Sequence, residues 1–216
     1  MRILEQVFDE VDETRQLSQD LLLAFTAGRF YQQALQQYDS DPELAFLSLI
    51  NAGEVLVSGL QFTENELGDE QLTVLLGEID AQLSPGTASA LRKKLFGQIS
   101  RRFRKGLSKS LNENFYLGSE SAEAFLRFTS ENVEKHLKAA YSLRSQFLHA
   151  GTRFGNWVST DYQGSEIFIG TPAFGDSEWK KLIAAIPTLG GLERVIRFSI
   201  LRFIHQRISP LHVSLD

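Results

Sequence analysis

Apolar residues recur three and four positions apart along nearly the whole chain, the period of an α-helix that buries one stripe. Ile3, Val7, Val11, Leu17, Leu21 and Leu22 mark a first amphipathic helix that the pattern ends near Gly28, and a short second one follows through Tyr38. Asp41-Pro42-Glu43 then supplies a capping side chain, an N1 proline and a first-turn acid. Residues 44–60 are apolar on most sides, so this third helix belongs in the core. Ser84-Pro85-Gly86 separates a weaker helical pattern at 70–83 from a basic one at 87–107. Residues 112–119 read as a loop. The longest pattern spans 121–149, with Phe125, Leu126, Val133, Leu137, Ala140 and Tyr141 in its stripe.

The period then shortens. Trp157-Val158-Ser159-Thr160-Asp161-Tyr162 and Glu166-Ile167-Phe168-Ile169 are β-prone runs around Gln163-Gly164-Ser165, which predicts a small hairpin within 156–170. Two closing helices are expected at 177–186 and 189–207, broken at Pro187. The pattern predicts an all-α fold with one small β insertion: an N-terminal helical extension over 1–28 and a helical domain over 29–209 that carries the insertion at 156–175.

Composition narrows the chemistry. The chain has no cysteine, which removes disulfides, thiol nucleophiles and thiolate metal sites. His136, His149, His205 and His212 show no helical metal-ligand spacing, so neither a metal site nor a cofactor is expected. His136 and His205 are expected to face solvent or to satisfy local groups. No apolar run reaches transmembrane length, and the N-terminal stretch is acidic and amphipathic rather than a signal peptide, so a cytoplasmic protein with no membrane partner is expected.

Arg144 and His149 close the long helical pattern just before Gly151. Arginine offers a permanent forked cation for phosphate, and histidine titrates near neutrality, so the pair suits phosphodiester chemistry. A basic residue in a last helical turn also serves simply as a cap, and local chemistry alone leaves both roles open. Five residues of ideal helix turn through about 500°, which leaves the two side chains about 140° apart around the axis. Convergence on one phosphate therefore calls for a loosened helix end or for a second copy of the motif.

Tyr141-Ser142-Leu143-Arg144-Ser145-Gln146-Phe147-Leu148-His149 resembles the R-x4-6-H signature of the higher-eukaryote and prokaryote nucleotide-binding (HEPN) superfamily, in its ApeA-like branch. Residues 30–38 and 46–56 resemble two upstream helices of that branch, and the likeness spans about residues 25–207. Gly53 stands where the branch has leucine, and Ala150 separates His149 from the usual glycine. The resemblance implies an up-and-down helical bundle. It also implies a metal-independent ribonuclease, a toxin or defence effector, whose composite site of two arginines and two histidines forms across a homodimer and leaves a 2′,3′-cyclic phosphate. An isologous two-fold interface brings such copies together by symmetry.

Other residues bear on this expectation. Ser145, after the arginine, either orients substrate or caps locally, or is simply an exposed helix serine, and Tyr141 either stacks or hydrogen-bonds at the site or is an interior tyrosine with a satisfied hydroxyl. Glu54 lies on an otherwise apolar helix, where a carboxylate needs a partner, and Arg144 is the candidate that would be oriented by it. Residues 81–112 carry eight cations and no acid, leaving 14 basic against 27 acidic residues elsewhere. Leu91, Leu95, Ile99 and Phe103 form one apolar stripe there, and Lys93, Lys94, Arg101, Arg104 and Lys105 form the opposite arc, a candidate RNA ridge. The alternatives are a catalytically silent module of the same kind that binds a nucleotide, RNA or a regulatory protein, and a helical scaffold whose ridge docks on an acidic protein surface. An antitoxin is a possible protein partner of the first reading.

Overall fold

A computed structural model describes residues 19–208, with 68–69, 89–90, 92–98, 163 and 174 outside the description. The chain is helical: α1 Gln19–Gln37, α2 Pro42–Ser58, α3 Glu64–Leu67, α4 Glu70–Gln82, α5 Ile99–Ser110, α6 Glu113–Leu117, α7 Val133–Ala150, α8 Ser177–Ile183 and α9 Leu189–Arg207. Residues 85–88 are also helical. Among the described residues there is no strand, only one antiparallel bridge between Ile167 and Pro187. The all-α expectation holds at that level.

Helix α2 is the centre. It packs on α1, α5, α7 and α9, and Phe46, Leu49, Ile50 and Ala52 are fully buried on it. Its start is as the sequence indicates: the Asp41 carboxylate accepts from the Leu44 amide at 3.1 Å, and Pro42 occupies the first turn. Gly53 explains how tightly the bundle closes around it. A Cβ at that position would stand 2.7 Å from Phe103 on α5 and 2.9 Å from Ile196 on α9. Gly53 is thus a packing device that lets two helices approach α2.

Several expected boundaries differ. The first two helices are one: α1 runs through Gly28, and Leu23, Ala24 and Ala27 before it join the same core as Ala34 beyond it. A mid-helix glycine costs only about 1 kcal/mol, which burial against α2 outweighs. The earlier residues of that first pattern, Ile3 to Leu17, lie outside the described residues, as does Leu95 of the basic stripe. Ile99, assigned to the same stripe, is 56% exposed, whereas Phe103 is fully buried. The expected loop at 112–119 contains α6, because the Asn112 side chain accepts from the Phe115 amide at 3.2 Å and starts a turn. The long helix begins at Val133 rather than near residue 121. There, Thr129 and Asn132 exchange hydrogen bonds, the Thr129 amide to Asn132 Oδ1 at 2.8 Å and the Asn132 amide to Thr129 Oγ1 at 3.2 Å, a reciprocal cap. Phe125, expected in its stripe, is 65% exposed on a 3₁₀ turn.

The hairpin within 156–170 is not formed. Two 3₁₀ turns, Gly155–Trp157 and Thr160–Tyr162, take its place. Its aromatic residues pack on one another instead of across strands: Trp157 and Tyr162 each meet Phe168 edge-on, at 5.4 and 5.2 Å between ring centroids. Helix α8 ends at Ile183, three residues short of the expected 186. No helix among the described residues is long and apolar enough to cross a membrane.

Candidate functional site

Glu54 on α2 faces Tyr141 and Arg144 on α7, which stand one turn apart on the same face. The Tyr141 hydroxyl donates to Glu54 Oε1 at 2.8 Å, and Arg144 Nη2 donates to Oε2 at 3.2 Å. The guanidinium also lies over the Tyr141 ring, 5.4 Å from its centroid, and the Phe103 ring of α5 packs on Tyr141 in a tilted arrangement, 5.3 Å between centroids. Both charged side chains are about a fifth exposed, 21% for Arg144 and 20% for Glu54. The carboxylate therefore does two jobs: it neutralises the arginine in a partly dry setting and fixes the direction of its fork. Arg144 Nε is buried and makes no hydrogen bond.

Burial first, then the hydrogen bond to Glu54 and that carboxylate's charge, push the Tyr141 phenol up to about 12. Tyr141 thus stays protonated at neutral pH, as a donor that holds Glu54 rather than a proton-transfer group.

His149 sits in the last turn of α7 and is exposed, as is Leu148 beside it at 54%. The helix closes on Gly151, whose φ of 65° is left-handed and whose amide reaches the Phe147 carbonyl at 3.0 Å. Between Arg144 and His149 the helix stays regular, so the two groups are about 7.5 Å apart along the axis and about 140° apart around it. A single chain brings together Glu54, Tyr141 and Arg144; it does not bring His149 onto the same face. Ser145 is half-buried and outside the cluster.

The basic ridge looks different in the fold. Lys93 and Lys94 lie outside the described residues. Arg101 Nη1 donates to the Leu67 carbonyl at 3.1 Å. Arg104 and Lys105 both bind Glu134 of α7, each at 3.0 Å, so one acid on the neighbouring helix answers two cations of the ridge. Among the described residues no group of three histidine, aspartate or glutamate side chains could hold a metal.

Two ionic clusters were not read from the sequence. Glu166 and Arg194 form a buried pair at 2.6 Å, and Glu166 further accepts from the Phe128 amide at 2.6 Å and the Ser119 hydroxyl at 2.7 Å. Arg194 stacks 3.9 Å from the Phe115 ring centroid and donates to the Phe115 carbonyl. Glu43 binds Arg153 Nε at 2.6 Å and the Gly155 amide at 2.8 Å, tying the chain after α7 to the start of α2. His136, expected to face solvent or to satisfy a local donor, is instead buried against Phe128, with Nδ1 donating to the carbonyl of Ala185, 49 residues away, at 2.8 Å. The sequence signal for Arg194 is the one that marked Glu54, a charge flanked by Leu192, Val195 and Ile196 on a buried face.

No family model, curated protein or solved structure matches this chain.

Proposed function

We propose that the chain is a HEPN-type, metal-independent endoribonuclease acting as a homodimer, with Arg144 and His149 as its catalytic residues. The observation that carries this reading is the fixed arginine: Glu54 orients Arg144 from the neighbouring helix, and the same helix ends at an exposed histidine. In the reaction a base removes the proton of a 2′-OH and the 2′-oxygen bonds to phosphorus. The bond to the 5′-oxygen then breaks as an acid protonates it, leaving a 2′,3′-cyclic phosphate and a 5′-OH. Arg144 stabilises charge on the phosphorane oxygens, and His149 of one or both copies moves the protons. The 140° separation favours a site completed across two copies over one built within a single chain. The exposed Leu148 next to His149 gives that end of α7 an apolar group to bury in the dimer.

The test is incubation of a labelled RNA pool in EDTA with wild type, Arg144→Ala and His149→Ala. Cutting that leaves cyclic phosphate and falls at least 100-fold in each variant is expected. Intact RNA with a wild-type dimer would overturn the enzyme reading.

A second reading has its own observation. Arg104 and Lys105 are already engaged by Glu134, which leaves the ridge less free for RNA phosphates and favours a silent module that binds a regulatory protein such as an antitoxin.

A further inference from the structure

The α2 end and the chain just after it, with α5 and α9, enclose an open cleft of about 500 Å³, a size that accommodates a small organic ligand. Leu56, Val57, Leu60, Phe62, Leu107 and Phe203 give the cleft an apolar part of its lining. Arg202, Arg207, Lys109, Gln61 and Gln206 also line it, and among the described residues no carboxylate does. Lys109 is paired with Glu66. Among the described residues Arg202 has no ion-pair partner, and its Nη1 is buried and makes no hydrogen bond. Earlier on the same helix, by contrast, Arg194 binds Glu166 and Arg197 binds Glu120 and Glu193. The hydroxyls of Ser110 and Ser199 are spent on one another, 2.6 Å apart, and on the Leu107 carbonyl, so they do not answer the guanidinium.

A buried guanidinium nitrogen without an acceptor costs stability that a folded chain normally avoids. The rest of the Arg202 side chain is part-exposed, and the residue lines a cleft that Arg207, Lys109 and the apolar side chains just named also line. We infer that this cleft is a binding site for a small organic anion, a phosphate monoester or carboxylate with an apolar or planar body, held by Arg202 through its charged end. No residue of the Arg144 cluster lines the cleft, so the inference stands apart from the nuclease reading.

The test uses the full chain and three probes in calorimetric titration and thermal melting: adenosine 5′-monophosphate, octanoate and inorganic phosphate. At least one organic anion is expected to bind one-to-one with a Kd below about 1 mM. Inorganic phosphate, which leaves the apolar wall uncovered, is expected to bind at least tenfold more weakly. Whichever organic anion binds tells whether the body is a nucleoside or an acyl chain. Arg202→Met keeps the side-chain stem and removes the charge. It is expected to weaken binding tenfold or more while the unliganded variant melts at or above the wild-type temperature. The inference is overturned if neither organic anion binds, if inorganic phosphate binds as well as they do, or if Arg202→Met binds them unchanged. It is equally overturned if unliganded Arg202→Met melts several degrees below wild type, since the guanidinium would then serve the fold.

Discussion

At the scale of single residues, charge inside the bundle is the informative quantity. Glu54 could be flagged from sequence because a carboxylate on an apolar helix must find a donor, and Arg144 was within reach of that reasoning. Glu166 could not, because its segment reads as β-prone and its partners lie 28, 38 and 47 residues away. Removing one partner of such a buried pair costs about 3–5 kcal/mol, since the other charge is left uncompensated. Glu166→Ala is therefore expected to lower stability in urea by that order, and Glu166→Leu with Arg194→Met together by less than Glu166→Ala alone. His136 makes a pH-dependent counterpart. Burial, and to a lesser degree Lys135, holds its pKa below the ordinary 6.5, while the Ala185 hydrogen bond opposes them. As pH falls through 6.5 the unfolded chain takes up a proton that the folded chain refuses, so stability falls with pH until the depressed folded pKa is reached. Melting temperature is expected to drop between pH 7 and pH 5.5, and the drop to shrink in His136→Gln; an equal drop in both would assign it to other groups.

At the scale of elements, helix existence was legible. So were ends marked by proline or glycine, such as the start of α2 at Pro42 and the close of α7 at Gly151, while ends set by short polar pairs were not. The 3.6-residue pattern located α2, α7 and α9 because each buries a long stripe, but caps made by short polar pairs such as Thr129 and Asn132 decided where α7 begins. The hairpin failed for a related reason: alternating β-prone residues specify a strand only when a partner strand exists, and here Glu166 binds the segment to α9 through Arg194 while its aromatic residues pack on one another. Glycines show where elements touch. A Cβ on Gly191 would fall 2.0 Å from the Glu166 carbonyl oxygen, which is backbone and cannot rotate away. Gly191→Ala is expected to destabilise by about 1–3 kcal/mol despite a gain in helix propensity. At Gly53 the nearest atoms are the tips of Phe103 and Ile196 side chains. Gly53→Ala is expected to cost clearly less than Gly191→Ala, and Gly53→Leu more than either substitution to alanine. Urea denaturation of the three variants checks the order.

At the scale of the whole molecule, a net charge of −5 sets the terms for any encounter with RNA. The long-range field repels a polyanion, so binding has to come from a local concentration of cations, and the block at 81–112 was legible in the sequence as that concentration. What composition could not show is that α7 packs beside α5 and sets Glu134 against Arg104 and Lys105. Each cation that meets a phosphate releases a counterion, which on single strands steepens the salt dependence of affinity by about 0.7 per contact. If the ridge meets RNA, Glu134→Gln releases two cations at once. RNA affinity measured by fluorescence anisotropy between 50 and 300 mM KCl is then expected to rise at low salt, and its log–log slope to steepen by about 1.4. Further replacement of Arg104 and Lys105 by glutamine in that variant is expected to return the slope to a value at or below the wild type's. An unchanged slope in Glu134→Gln would mean that RNA, where it binds, passes over a different face, and the internal pairing would then stand as the ridge's role in holding α5 to α7.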